Sequence, residues 1–496
     1  MTNQATSDDT AQRGELAIPS YRLLDAAQLD LIHQATLRLL ATTGVRIAHA
    51  EARDLLAGAG CRVLRDDIML IPSGIVEASL RSAPHAITIF NRKGQAAMQL
   101  EGRNSYFGLG TDLLRTEDLE TGQRRPSRLP DVINAARIAD ACANIDFIAS
   151  FALPTEVPTN AMYVHCARAQ MENSTKPIFF TAAGREDLAR IIEMAEAVAG
   201  GADALHARPF IINYSEPTPP LTHSFGAVSK LFLCAEKGVP VCYTPAAMLG
   251  GSAPVTLAAA LVQTNAEALS GLVMHQLRRP GAPIISGVAL PPLDMRTSCV
   301  SYAAPEMRLG NSAFADLYHH YGLPMWSSAG SDAHTFDAQG ALENGLGILL
   351  AALDGANLIH DVAYLGQGLL GNPAAIVMCD EIIGYAKRLL RGFSLTSEAL
   401  GEEVIAAVGP GGNYLSAPHT VRHFRRDVWQ PALLNRDGPD SWEERGGCTY
   451  QARVLTRARE LAATHEPEPL PPATLRALHE IMARAEEQLA DFEFVA

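Results

Sequence analysis

Twelve polar side chains sit where strand-like runs give way to loops: Asp112, Glu156, Asn213, Ser215, Glu216, Tyr243, Arg296, Glu306, Ser331, Asp332, His334 and Asp361. Groups of these types can move protons or hold a polar ligand, and the same types also serve as helix N-caps and loop hydrogen-bonders. Asp332, His334 and Glu156 are the candidates for catalysis. Ser331 and Asp332 stand out because they follow a strand-like run carrying Trp326, within PMWSSAGSDAHTFDAQGALENG at 324–345. A second pattern is aromatic. Phe107, Phe180, Tyr214, Tyr243 and Trp326 fall near strand ends in a chain whose residues are only 6% aromatic. Such rings can wall a site for a quaternary ammonium ion, which cation–π attraction favours by about 0.5–2 kcal/mol per contact. The plainer alternative for any one ring is packed core.

Metal chemistry has little behind it. His319-His320 falls in a helical pattern, and Asp332, His334 and Asp337 have conceivable ligand spacing without a second His or Cys at a matching interval. No metal is expected. G-x-S-x-G, H-E-x-x-H and Walker patterns are absent. GPGG at 409–412 has no Lys-Ser/Thr after it and reads as a turn.

The elements that would position these residues alternate. Strand-like runs at 106–109, 145–153, 177–181, 210–214, 239–244, 283–289, 325–328 and 358–365 are separated by helical patterns. Pro or Gly precedes several of the runs, as a tight helix-to-strand turn requires. This rhythm predicts a (β/α)8 TIM barrel, in which chemistry sits on the loops after the strands. A doubly wound sheet is the alternative, but no G-x-G-x-x-G marks a first strand–helix turn. The expected organisation is a disordered leader (1–20), an N-terminal α+β segment packed on the barrel (21–103), the barrel (104–392) and a C-terminal helical extension (393–496).

With 496 residues, 48% of them hydrophobic, the chain has material for a large core. A net charge of −14 argues against a nucleic-acid or anionic-membrane partner. Eight cysteines without C-x-x-C spacing read as reduced thiols, and no secretory or membrane-spanning run is evident, so a cytoplasmic protein is expected. A homo-oligomer is expected too.

Beyond these patterns, nearly the whole chain past residue 20 resembles the trimethylamine methyltransferase (MttB-like) family. The likeness runs through SRLPDVINAARIADACANIDFI at 127–148, FIINYSEPTPPLTHS at 210–224, AEKGVPVCYTPAAMLGGSAPVTLAAALVQTNAEAL at 235–269, GLPMWSSAGSDAHTFDAQGALE at 322–343 and VGPGGNYLSAPHTVRHFRRDVWQPAL at 408–433. It implies a TIM-barrel enzyme moving a methyl group from a quaternary (or tertiary) methylated amine, such as a betaine, to cob(I)alamin on a separate corrinoid protein. No tightly bound cofactor is implied. Founding members use pyrrolysine, whereas this chain holds standard residues only and so resembles the branch acting on glycine betaine, proline betaine and carnitine. His334 stands where that branch is expected to carry a small or basic residue. A substrate-binding set of Trp326, Tyr243, Phe180, Tyr214, Asn213 and Ser331 follows, with Arg296, Arg308 or the helix start near His223–Ser224 for a betaine carboxylate. The alternatives are direct transfer to tetrahydrofolate and a non-catalytic betaine-binding protein.

Overall fold

The computed structural model describes residues 16–495. Its centre is a seven-stranded, all-parallel sheet of short, almost wholly buried strands. In chain order the strands are β1 (Tyr106–Leu109), β3 (Ile178–Thr181), β4 (Ile211–Ser215), β5 (Val241–Tyr243), β6 (Ile284–Gly287), β7 (Met325–Ser328) and β8 (Leu358–Val362). Neighbours pair in sequence order from β3 to β8, and β8 pairs with β1. The eighth position, β2, is no more than Phe147 and Ile148, joined by single parallel bridges to Gly108 and Ile178. These two bridges complete the ring of a TIM-like barrel. The expected strand at 145–153 is thus cut short. Beyond Ser150 the backbone turns away, with Phe151 at φ +53°.

The sequence dictates this layer directly. Runs such as Ile284–Gly287 and Leu358–Val362 bury every residue, as parallel strands covered on both faces must. Helices stop where glycine takes a left-handed conformation just ahead of a strand: Gly238 (φ +68°) before β5 and Gly322 (φ +69°) before β7.

Outside the barrel, a four-stranded sheet joins Val45–Ile47, Arg62–Arg65 and Ile68–Leu70 of the N-terminal segment to Thr222–His223 of the β4 loop. The helices Ala26–Thr42 and Ser73–Ser82 pack on the long helix Leu257–Arg278. Of the leader expected over residues 1–20, residues 1–15 lie outside the described residues. Leu16–Ala17 pairs antiparallel with Phe393–Ser394, so the end of that stretch is anchored. At the other end, Tyr450–Thr464 packs on Pro373–Leu390 and Leu129–Ala141, while Pro472–Leu489 packs on Met162–Asn173 and Arg185–Ala199. Among the described residues one helix, Leu257–Arg278, is long and apolar enough to cross a membrane, and 78% of its apolar window is buried inside the protein. All eight cysteines are free, and only Cys299 and Cys448 are exposed.

That central helix carries a buried carboxylate with a consequence for stability. Burial pushes Glu267 up to about 7, against the hydrogen bonds it accepts from Leu221 N and Gln263 Nε2. Between its ordinary range and about 7, the unfolded chain has released this proton while the folded chain keeps it. Stability therefore falls as pH rises across that window. Urea midpoints should decline less steeply there for Glu267→Gln than for the wild type. Parallel pH profiles would contradict the assignment.

Candidate active site

Side-chain alternation decides what faces the barrel interior. On β3, Phe179 and Thr181 point in and Phe180 points out; on β4, Tyr214 points in and Asn213 meets Cys234 of the surrounding helix. On β5, Tyr243 points out, where its hydroxyl meets His223 Nδ1 at 2.8 Å and its ring lies over Gly271. Phe180, Asn213 and Tyr243, expected to bind substrate, therefore belong to the layer between barrel and helices. Each misses the interior by a single residue.

The interior face of the C-terminal half of the barrel is aromatic. His360 lies at its centre, with ring centroids 4.5 Å from Phe179, 5.8 Å from Trp326, 6.2 Å from Tyr214 and 6.3 Å from Tyr364. Tyr214 is 6.2 Å from Trp326, and Tyr302 stands 6.4 Å from Tyr364 at the mouth. Tyr364 is held because its hydroxyl donates to Thr111 O and accepts from Thr111 N, while its ring fills the space a Cβ on Gly110 would need.

Three carboxylates stand at the strand ends beside these rings, and rings and acids together make up the candidate chamber. Asp112, after β1, accepts hydrogen bonds from Ser150 Oγ (2.9 Å) and Thr181 Oγ1 (2.6 Å). Glu216, after β4, accepts one from the Tyr214 hydroxyl at 3.0 Å. Asp361 lies on β8, where the pairing register shifts and a bulge re-aims side chains. At φ +62° it takes a backbone conformation that non-glycine residues seldom adopt, and its Oδ1 comes within 2.8 Å of His360 Nδ1. Burial raises both Asp112 and Glu216, opposed by the hydroxyls that bond to them. Glu216 nevertheless keeps water-accessible surface. The two facts agree for a side chain lining a recess: water reaches it, yet protein surrounds it. Lys230, on the helix Phe225–Lys237, donates to Ala182 O at 2.7 Å; burial lowers its ammonium, opposed by Asp187 and Glu216. A separate concavity of about 730 Å³ lies among Ser397–Ala407, Pro418 and Arg422 of the C-terminal extension, and no strand-end residue lines it.

The remaining sequence candidates hold the loops in place. Asp332 accepts from Ser301 Oγ and from Tyr302 N (2.7 Å), so it sets the position of Tyr302. Ser331 donates to Glu343 Oε2 at 2.7 Å, and that carboxylate also gathers the Asp332 and Ala333 amides. His334 is exposed, and its carbonyl accepts from Arg124. Glu156 accepts from Leu129 N at 2.8 Å, at the start of the helix Leu129–Ala141. Asp332 and Glu156 thus hold backbone amides of neighbouring segments, and the His334 side chain faces solvent. Arg296 lies on the surface, its side chain 88% exposed and paired with Asp294. Arg308 is buried, donates to the carbonyls of Ser328, Tyr302 and Gly330, and is lowered by burial to about 10. The helix start near His223 is closed by Ser224, whose side chain accepts from Ala227 N. Of the expected substrate-binding set, Trp326 and Tyr214 are brought together in the chamber. His360, Phe179, Tyr302, Tyr364 and Lys230 escape a reading of the sequence; His360 hides within an apolar strand, LIHDV, with no motif around it. Asp112, Glu216 and Asp361 carried a usable signal, since each is an acid at a strand end.

The family model for trimethylamine methyltransferases (MTTB) matches residues 2–490. The chain belongs to the trimethylamine methyltransferase family. It is 31% identical over 466 residues to the trimethylamine methyltransferase MttB of Desulfitobacterium hafniense (strain DSM 10664 / DCB-2), covering 93% of each chain. It is 28% identical to the glycine betaine methyltransferase of Desulfitobacterium hafniense (strain Y51), covering 96% of this chain and 99% of that one. Among solved structures, the monomethylamine methyltransferase MtmB of Methanosarcina barkeri superposes with a TM-score of 0.51 at 10% identity, over 96% of this chain and 90% of that one. That likeness concerns the fold alone. Membership makes the chain a methyl-transferring enzyme. No group of three or more His, Cys, Asp or Glu suited to a metal ion occurs among the described residues.

Proposed function

We propose that this methyltransferase takes a methyl group from a positively charged, quaternary or tertiary methylated amine and passes it to the Co(I) of a separate corrinoid protein. The observation that carries the reading is the chamber at the strand ends: aromatic walls of Phe179, Tyr214, Trp326, Tyr302 and Tyr364 beside the acids Asp112, Glu216 and Asp361. Ring faces attract an alkylammonium ion without hydrogen bonds, and nearby carboxylates favour positive charge.

The chemistry asks little more of the protein. The C–N bond breaks with its electron pair left on nitrogen, so a quaternary ammonium departs as a neutral tertiary amine without acid assistance. The corrinoid supplies the strong nucleophile that takes the methyl group. Tyr214 and Trp326 hold the ammonium group, Tyr302 and Tyr364 narrow the mouth, and Asp332 and Arg308 keep the Tyr302 loop in register. Excluding water and aligning one methyl outward toward the mouth is the main catalytic contribution.

The test is to mix the purified enzyme with a corrinoid partner protein in the Co(I) state and a panel of methylated amines. Methyl-Co(III) absorbance should appear with at least one. Its absence with every member would contradict the proposal, and turnover with tetrahydrofolate in place of the corrinoid protein would replace the acceptor.

A further inference from the structure

His360 stands where its ring nitrogens have no protein partner. It is 2% exposed, and neither nitrogen makes a hydrogen bond within the protein. The ring occupies the centre of the chamber, between 4.5 and 6.3 Å from the rings of Phe179, Trp326, Tyr214 and Tyr364. Buried histidines ordinarily pair both nitrogens, as His223 does with the Tyr243 hydroxyl and Ser270 Oγ. An imidazole left bare among the walls of a site is open to the ligand.

The backbone is bent to set a carboxylate beside this ring. Along a regular strand Asp361 would point to the face opposite His360. The register shift on β8 and the left-handed conformation of Asp361 (φ +62°) turn it inward instead. Its Oδ1 lies 2.8 Å from His360 Nδ1, out of line for a hydrogen bond. A carboxylate at that distance favours positive charge on the imidazole.

Methyl transfer produces a base without its proton. When the C–N bond breaks, the electron pair stays on nitrogen, and through that pair the new amine can take the methyl group back from the acceptor. A proton on the nitrogen blocks the return. Alkylamines are stronger bases than imidazole, by about three orders of magnitude for a lysine amine against a histidine ring, so proton transfer from an imidazolium runs downhill.

We infer that His360, as an imidazolium set by Asp361, donates its Nε2 proton to the departing amine and traps the product as an ammonium ion. The ring N–H bond breaks with its electron pair left on the imidazole, and the amine lone pair forms the new N–H bond. Water restores the ring proton after the ammonium ion leaves. His360 is then a catalytic residue and Asp361 a positioning residue. The inference rests on the chamber being the methylated-amine site proposed above, and it leaves departure itself unassisted. Before the step, the substrate cation and the imidazolium share the chamber with Asp361, Asp112 and Glu216, which offset the two like charges. Tyr214, Tyr302, Tyr364 and Lys230 are the other titratable groups around it.

The test counts protons by calorimetry on the full chain at about pH 6, where an ordinary histidine is largely protonated, in buffers of different ionisation enthalpy and without methyl acceptor. Tetramethylammonium stands for the substrate and has no N–H; trimethylammonium stands for the product and brings one. Both carry a single positive charge, so the carboxylates, tyrosines and lysine around them respond alike. Tetramethylammonium should leave the imidazolium in place. Trimethylammonium already holds the proton that His360 would have given, so the ring should release its own, about one more proton per bound ligand than with tetramethylammonium. In His360→Gln, which does not titrate, that difference should vanish. Equal counts in the wild type overturn the inference without any variant having to fold, and a difference that survives in His360→Gln overturns it too. Failure of both probes to bind would contradict the chamber as the methylated-amine site, and the inference with it.

Discussion

Replacing Tyr214 with alanine should lower kcat/KM for methyl transfer by about three orders of magnitude. Tyr214 touches both sides of the chamber, at 6.2 Å from Trp326 and 6.2 Å from His360, and its hydroxyl fixes Glu216. Loss of a desolvated cation–π contact accounts for up to about 2 kcal/mol, roughly 30-fold. The remainder comes from a methyl group no longer aligned, since a misplacement of about 1 Å costs on the order of 10²-fold. Tyr214→Phe keeps the ring and loses only the hydroxyl, so it should stay within about 10-fold of wild type, the scale of one ordinary hydrogen bond. Steady-state kinetics on the two variants check this ordering. Equal losses in both would place the contribution in the hydroxyl and not in the ring.

Arg308→Leu should be the most destabilising single change near the site, at about 3–5 kcal/mol, because each buried carbonyl left without its donor costs about 1–3 kcal/mol. The guanidinium joins three carbonyls from two segments, Ser328 and Gly330 around the end of β7 and Tyr302 on the preceding loop. Leucine matches much of the volume and leaves those carbonyls buried without donors. Urea denaturation followed by circular dichroism should show the loss. A midpoint unchanged from wild type would mean that the carbonyls find other partners, and that Arg308 is free to meet a ligand.

Much of the barrel was legible because parallel strands buried on both faces are short apolar runs, and glycine or proline marks the turns between them. The site was legible only in part, and the reasons are geometric. Phe180 and Phe179 are adjacent phenylalanines, and nothing in their chemistry tells which one faces inward; a strand's period of two makes the wrong choice point to the helices. Tyr243 and Asn213 fall to the same uncertainty. Asp361 faces inward by way of a bulge and a left-handed backbone, features of the folded chain that leave no mark in LIHDV. The loop of Ser331, Asp332 and His334 drew attention for its polar density, yet that density serves the loop itself. Asp332 clamps Tyr302, Glu343 gathers Ser331 and two amides, and His334 faces solvent. Polar residues that build a loop and polar residues that act from it have the same composition, and only their partners separate them.

The account turns on where the ammonium group binds, and a crystal structure of the enzyme with a trimethylammonium ligand tests that most directly. The nitrogen should lie among the rings of Tyr214, Trp326 and His360 with Glu216 and Asp361 nearby. Density for the ligand elsewhere, with this chamber unchanged, would contradict the account.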